Sequence, residues 1–495
     1  QTVTFNRSES GMLSYVGRVN YSYDDKYLFE FMLRSDASAK FAPQNYWGMF
    51  PSWSAGWVIS DEKWFDKDKT KIDFLKIRGS FGILGKDNVN AWLWTQLYTR
   101  NPDKGPIFGT NSSTNTSATI RMPKQGVNPD VHWDKTYKTN FGIDMAFLKN
   151  RMSANLDFYY DMGREMFASH QGTSYYPNTV GIQPAPENFG EVDTYGVELS
   201  LGWKDKIGKD MSYWVKLTTG YNDNKIRETG WKAAYDFDKL VRNERSDRGL
   251  WGYECIGMFR SYQEINEYFD KYSITKYLGN TKENVHPGML IYKDVRGQYD
   301  ESTGTFGPAD GIVDEQDYIK ISHRASNPYG GTLNFGFSYK DFSISAQFGA
   351  SWGAYSLVPT TMRKESYSEY SNVSAMWKDM FVYEDIYDAN NIVTVAQNRN
   401  AKYPNIRYSS VNGAPSTFWK VSAATVQLRN MTVAYALPKE WLKIIGISSC
   451  RFNLTCQNVF NFLNPYPEGA WASWAGSYGY YPNLRKFTLG VNVSF

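Results

Sequence analysis

Short segments of alternating apolar and polar residues recur along the whole chain, and the stretches that join them come in two lengths that take turns. Leu13–Tyr23 and Tyr27–Arg34 are joined by Asp24, Asp25 and Lys26 alone. Thr139–Leu148 and Met152–Asp161 are joined by Lys149, Asn150 and Arg151, and Thr332–Tyr339 and Phe342–Trp352 by Lys340 and Asp341. Ser52–Ser60 and Phe74–Leu84 flank a compact charged connection, and Tyr195–Trp203 and Ser212–Tyr221 flank KDKIGKD. Phe418–Leu437 and Arg451–Asn458 flank a lysine-bearing helical connection at Pro438–Gly446. Every other connection is long, roughly residues 35–46, 85–138, 162–194, 222–328, 353–417 and 459–486. Antiparallel strands joined in this way collect all the long loops at one end. That parity belongs to an up-and-down barrel lying in an outer membrane, with short periplasmic turns and long extracellular loops. A soluble sandwich gives no reason for it.

Within the segments the alternation is clean. Phe141, Ile143, Met145 and Phe147 oppose Gly142, Asp144 and Ala146; Ala154, Leu156, Phe158 and Tyr160 oppose Ser153, Asn155, Asp157 and Tyr159. Val197, Leu199, Leu201 and Trp203 likewise oppose Glu198, Ser200 and Gly202. A period of two puts each set on its own face of a strand. In a large lipid-embedded barrel the apolar set turns outward and the polar set lines a wet lumen. The last residues repeat the pattern: Phe487, Leu489, Val491, Val493 and Phe495 alternate with Thr488, Gly490, Asn492 and Ser494. An apolar terminal strand with an open edge invites aggregation in water, whereas in lipid its apolar face meets hydrocarbon. Tyr21, Tyr23, Tyr159, Tyr160, Trp203 and Tyr339 gather where strands end, as interfacial girdles require. Counting segments gives roughly fourteen to sixteen strands in an all-β, antiparallel transmembrane barrel.

Composition agrees with this and excludes other classes. Of 495 residues 17% are aromatic and 40 are glycine, so strand formers and turn makers dominate. The mean hydropathy of -0.53 is that of a polar chain, and nowhere do about eighteen apolar residues run together, so transmembrane helices are excluded while transmembrane strands are not. A net charge of +3 without a basic run leaves no electrostatic footprint for nucleic acid. Cys450 and Cys456 lie on one strand about 20 Å apart and cannot bridge each other. With Cys255 they form neither a disulfide framework nor a zinc site. No basic start with an apolar stretch opens the chain, so for an exported protein a preceding segment is expected.

Longer strings are specific. SYVGRVNYSYDDKYLFEFMLRSDASAKFAPQNYWGMFPSWSAGWVISDEKWF (residues 14–65) resembles the barrel signature of SusC/RagA-type TonB-dependent transporters. FLKIRGSFGILGKDN (74–88), VQLRNMTVAYALPKEWLKIIGISSCRFNLTCQNVF (426–460) and YPNLRKFTLGVNVSF (481–495) fit the same family in the same order. The resemblance implies a bacterial outer-membrane location and a barrel of roughly 22 strands, of which this chain supplies roughly the C-terminal two-thirds. It implies an N-terminal plug, a Ton box and opening barrel strands outside this chain, with TonB acting through that missing part. It further implies a SusD-type surface lipoprotein as lid, surrounding outer-membrane lipid, and a barrel assembly machinery that reads the terminal strand Phe487–Phe495. The expected activity is TonB-dependent import of a glycan or oligopeptide, with no enzymatic chemistry and no required cofactor. The alternatives are a passive porin and an extracellular β-rich binding or adhesion protein.

Three further patterns each have a plainer reading beside the functional one. Asp310, Gly311, Val313 and Asp317 fit the second half of a calcium-binding loop, with Asp314 beside them. Phe306 and Pro308 break the first half, and Asp294 is the candidate for the displaced carboxylate. Calcium at 294–317 is thus a candidate, against turns in which Asp and Gly serve backbone geometry. Gly349–Gly353 spells G-x-S-x-G, but a long alternating strand replaces the strand–turn–helix that a hydrolase elbow needs. Finally, Trp92, Trp94, Tyr98, Tyr175, Tyr176, Trp471, Trp474, Tyr478, Tyr480 and Tyr481 lie in long loops, where aromatic faces stack on sugars or peptide side chains. They equally suit packing between loops or a face for the lid.

Overall fold

The computed structural model describes residues 10–101, 119–121, 126–168, 179, 182, 184–230, 242–300, 302–364, 373–444, 446–463, 466–467 and 484–495. Thirteen long strands make up its main sheet: β1 Met12–Tyr23, β2 Tyr27–Ser38, β3 Trp47–Val58, β4 Ile72–Lys86, β5 Asp134–Phe147, β6 Met152–Ala168, β7 Glu187–Ile207, β8 Met211–Glu228, β9 Tyr329–Tyr339, β10 Phe342–Trp352, β11 Thr425–Ala436, β12 Ser449–Leu463 and β13 Lys486–Ser494. Their order in the sheet is their order in the sequence, a meander in which each strand neighbours the next. The chain divides into two compact units, residues 1–203 with 220–234 and 239–246, and residues 204–219 with 235–238 and 247–495.

In the first unit the register is regular. Met12 opposes Ser38 and Tyr23 opposes Tyr27 across the first hairpin, and Phe141 opposes Phe158 in the pair β5–β6. The turns are as tight as the sequence requires. Asp24 and Asp25 have φ of 53° and 52°, and Lys149 and Asn150 have 60° and 59°. Such φ values let a short turn follow the twist of the strands; Asp24, Asp25 and Asn150 adopt them at low cost, while Lys149 and Leu148, the latter at 57°, hold them as bulkier residues. In the second unit β9 and β10 pair from Tyr329 opposite Trp352 to Tyr339 opposite Phe342, and β12 pairs β13 from Ser449 opposite Ser494 to Gln457 opposite Lys486.

One face of these strands is apolar and bare. Phe141 is 44% exposed, Phe158 43%, Phe487 68% and Leu489 74%. In a water-soluble barrel this face would be the core, so these exposures assign it to lipid. Aromatic pairs sit where strands end, with Tyr27 stacked on Trp57 at the short-turn end and Tyr15 on Trp47 and Tyr329 on Trp352 at the other, whereas Tyr160 stacks on Tyr195 midway along β6 and β7. Tyr159 departs from the girdle expected of it. It shares its face with Asn155 and Asp157, and its ring lies over Gly196, where a Cβ would meet the hydroxyl at 2.5 Å.

The strand ends place the long connections at 39–46, 87–133, 169–186, 229–328, 353–424 and 464–485. Several strands run past the expected bounds. β7 has 21 residues, roughly 70 Å at about 3.4 Å per residue, more than twice the hydrocarbon thickness of a bilayer. The count of thirteen among the described residues is below the expected fourteen to sixteen. The stretch read as one strand, 418–437, is in fact interrupted. Thr417–Trp419 is a turn of 3-10 helix, Lys420–Ser422 pairs with Tyr355–Leu357, and β11 begins only at Thr425.

The buried cores lie in the connections. In the first unit Phe41, Phe50, Val89, Val131 and Trp133 pack together. In the second, connections 229–328 and 353–424 share a core of Tyr253, Phe259, Tyr268, Phe269, Tyr277, Tyr292, Phe381 and Val411, among others. Helix Tyr262–Tyr272 turns Ile265, Tyr268 and Phe269 into it. The helix is started by the Ser261 hydroxyl, which accepts from the Glu264 N–H, and by the Glu264 carboxylate, which accepts from the Arg260 N–H.

Candidate functional site

Two places in the structure gather polar and aromatic groups with room for a ligand. The first is the polar face of the sheet in the first unit. The alternation that turns Ile77 and Phe81 to lipid turns Lys76, Arg78 and Ser80 of β4 the other way, beside Asn140 and Asp144 of β5 and Asp157 of β6. Arg78 reaches across β5: its guanidinium donates to Asp144 at 3.0 Å and to Asp157 at 2.7 Å, and Asn155 donates to Asp144 at 2.7 Å. Gly142 opens the path, since a Cβ there would stand 2.4 Å from the guanidinium carbon. A concavity of about 510 Å³ on this face is lined by Asn20, Glu30, Ser54, Lys76, Arg78 and Asn140, among others. Such a wall is wet, charged and rigidly cross-linked, as a lumen is.

The second place is a cavity of about 870 Å³ within the second unit, lined by Val358, Met376, Lys378, Asp379, Lys402, Tyr403, Phe418, Trp419, Lys420, Val421 and Tyr466, with Ala375 and Pro467. It is built from connections 353–424 and 464–485, both on the long-loop end. Its floor is packed. Trp419 is 1% exposed, stacks on Tyr403 with centroids 6.4 Å apart, and receives the edge of Phe418 at 4.8 Å. The Trp419 indole donates to the Asn412 carbonyl at 2.6 Å, and Arg363, buried nearby, donates to the carbonyls of Val358 and Gly413. Local sequence gives no sign of this cavity. Trp377, Tyr403 and Trp419 are far apart in the chain and share no periodicity, and the TFWK run that carries Phe418 and Trp419 reads as the start of a strand.

Of the loop aromatics, Trp92 and Tyr98 are exposed, and Trp92 lies 5.8 Å from Trp94 between ring centroids. Between them Leu93 packs onto the core of the first unit, which anchors the segment. Tyr175, Tyr176, Trp471, Trp474, Tyr478, Tyr480 and Tyr481 lie outside the described residues.

The acidic loop is organised around its own backbone. Asp317 is fully buried, and its carboxylate accepts the N–H groups of Val295, Arg296 and Asp314. Asp294 accepts from the Gly311 N–H at 2.7 Å, Asp310 from Ile312, and Asp314 from Gln316 in a capping box with Asp317. Desolvation raises the pKa of both Asp294 and Asp317 above the usual range, with the Asp310 charge adding to it at Asp294 and the Asp294 charge at Asp317. Calcium needs six to eight oxygens. Among the described residues no group of three or more His, Cys, Asp or Glu side chains is arranged to hold a metal ion. As folded, these carboxylates cap backbone N–H groups. The G-x-S-x-G serine lies at the end of β10, with its hydroxyl bonded to Asn327 at 3.0 Å and Thr425 at 2.9 Å, so no nucleophile elbow forms.

Comparison with known proteins agrees with the sequence strings. No family model matches. The chain is 24% identical to TonB-dependent receptor P39 of Formosa agariphila over 97% of its own length and 46% of that protein. It is 26% identical to TonB-dependent receptor SusC of Bacteroides thetaiotaomicron over 98% of its length and 44% of SusC. Its fold matches the RagAB peptide importer in the closed-closed state with a TM-score of 0.69 and 19% identity, covering 99% of this chain and 48% of that one. The chain thus spans less than half the length of the proteins it resembles. It is similar along nearly all of its own length to receptors and transporters, not to enzymes. No helix among the described residues is long and apolar enough to cross a membrane; the chain is an outer-membrane β-barrel segment that crosses with strands.

Proposed function

We propose that this chain is the C-terminal part of the barrel of a TonB-dependent outer-membrane importer, working with a SusD-type surface lipoprotein to take up an oligomeric nutrient, a glycan or an oligopeptide. The observation that carries the reading is the division of labour between the faces of one meander. Apolar side chains such as Phe141 and Phe158 are bare on one face, while the Arg78–Asp144–Asp157 network fills the other. The similarity to TonB-dependent receptors over nearly the whole chain supports it. Plug, Ton box and opening strands belong, in this reading, to the part of the relatives that this chain does not span. The folded connections at the long-loop end give a lipoprotein lid a firm rim to seat on.

Uptake by the full-length protein in its own outer membrane tests the proposal. Import of an oligomeric nutrient is expected to stop when TonB is deleted. Import that continues unchanged would make the protein a passive porin. Release of the protein from membranes by carbonate, without detergent, would replace the barrel with an extracellular binding protein. Co-purification of a surface lipoprotein with the detergent-extracted protein tests the lid.

A further inference from the structure

We infer that the cavity of the second unit, between residues 358 and 467, is a subsite for the carboxylate end of an apolar oligopeptide, with Lys378 and Lys402 taking the carboxylate and Phe418, Val421 and Tyr466 the neighbouring side chain. The inference rests on the importer reading and narrows its substrate class.

Size and stiffness come first. About 870 Å³ lies within the range of small-ligand sites, roughly 300–1,000 Å³. The floor is already in place, because Trp377 and Trp419 are 4% and 1% exposed and the Trp377 indole donates to the Met362 carbonyl at 3.2 Å. A ligand therefore meets a formed surface and bears little ordering cost.

Charge comes next. Among the described residues the lining holds Lys378, Lys402 and Lys420 against Asp379 alone. Asp379 is engaged within the protein, accepting from the Asn398 amide at 3.2 Å and from the Lys402 N–H at 3.3 Å. Lys420 is engaged as well: its ammonium donates to the Ile321 carbonyl at 2.9 Å and lies 4.1 Å from the centre of the Tyr355 ring. That leaves Lys378 and Lys402, both exposed; the Lys402 ammonium lies 5.4 Å from the centre of the Tyr403 ring, and among the described residues neither lysine forms an ion pair. Two ammonium groups beside an aromatic and aliphatic wall suit an anion attached to an apolar body.

The rest of the lining selects between ligand classes. A sugar buries several hydroxyls, and each one left without a partner weakens binding. Val358, Met376, Phe418 and Val421 offer no side-chain partner, and among the described residues the lining has no amide or guanidinium side chain. The end of a peptide buries one apolar side chain and one carboxylate, which matches what the walls provide.

The test uses the full-length protein purified in detergent and four fluorescein-labelled probes: the tetrapeptide Gly-Ala-Val-Phe with a free C-terminal carboxylate, the same peptide as its amide, maltotetraose and tetragalacturonate. The acid is expected to bind about tenfold or more tighter than the amide. The double variant Lys378→Gln/Lys402→Gln is expected to erase that difference while its melting temperature stays at the wild-type value. Ala375→Trp, at an exposed position on the cavity wall, is expected to weaken the acid by filling the space. Equal binding of acid and amide, or a double variant that still discriminates, overturns the subsite. Lysine-dependent binding of tetragalacturonate without binding of the peptide overturns it in favour of an acidic glycan. The importer reading fails separately: peptide uptake that ignores TonB deletion removes it even where the lysine dependence of binding stands.

Discussion

The side-chain oxygen of Asn412 accepts the backbone N–H of Leu290 at 2.8 Å, although 122 residues separate them. The same amide donates to the carbonyls of Gly288 at 3.0 Å and Asn405 at 2.8 Å. One fully buried side chain thus ties connection 229–328 to connection 353–424. Asn412→Leu strands the Leu290 N–H in an apolar core, while the Gly288 and Asn405 carbonyls keep the N–H groups of Asn405 and Tyr408. An unpaired buried group costs about 1–3 kcal/mol, so a loss of that size is expected from the loop core, seen as faster protease cleavage within 242–424. The strands, which hold their own hydrogen-bond ladder, should keep their β signal in circular dichroism. Loss of both together would mean that the connections and the sheet unfold as one.

Arg78 crosses β5 to reach Asp157 only because residue 142 has no Cβ. Gly142→Val is expected to push the guanidinium off the strand and destabilise the folded barrel by about 1–3 kcal/mol. Gly79→Ala is the control. A Cβ at Gly79 would meet only the Asn140 carbonyl, at 3.9 Å, so its urea midpoint should match wild type. Equal effects from the two variants would mean that the close approach at Gly142 carries no weight.

Asp294 and Asp317 bear carboxyl groups whose pKa values are raised, chiefly by desolvation. A raised folded-state value means that the folded protein holds protons which the unfolded chain has released. The associated stability is fully present below the ordinary carboxylate pKa of about 4 and is lost as pH rises through the raised value. Asp294→Asn is expected to flatten the fall in melting temperature over that interval. Calcium is expected to leave the melting temperature of the metal-free protein unchanged. A calcium-dependent rise, lost in Asp294→Asn, would show that the loop rearranges into an ion site.

Trp92 presents an exposed ring on a segment anchored through Leu93. If it contacts cargo, Trp92→Ala should lower uptake several-fold, since stacking on one aromatic ring is worth about 0.5–1.5 kcal/mol, with no change in thermal stability. Reduced stability at unchanged uptake would assign the ring to loop packing instead.

The sequence by itself determined the wall of this molecule. Period-two alternation decides which side of β5, β6 and β13 meets lipid, because a strand has only two faces and a bilayer tolerates only one kind of side chain on the outer one. The turn residues Asp24, Asp25, Lys149 and Asn150 set the register locally, and the parity of connection lengths decides which end carries the loops. These signals are local, so they survive without coordinates. The extensions of β7 and β8 above the bilayer escaped because strands in water lose the apolar half of the pattern. The break at residues 417–424 escaped because Trp419 satisfies the alternation while its ring belongs to a different core.

Tertiary structure alone decided what the loops are. The partners of Leu290 and Tyr292 lie in another connection, since Asn412 accepts from Leu290 and Tyr292 donates to the Val411 carbonyl, and Trp419 packs on Tyr403 and Trp377 from well back in its own. No window of sequence contains both halves of such a contact, so nothing periodic marks it. The cavity beside Lys378 and Lys402 exists only once those distant pieces have closed on each other. Alternation is dictated by a planar environment that every strand shares, whereas a loop core is dictated by particular pairs, and only the folded chain brings those pairs together.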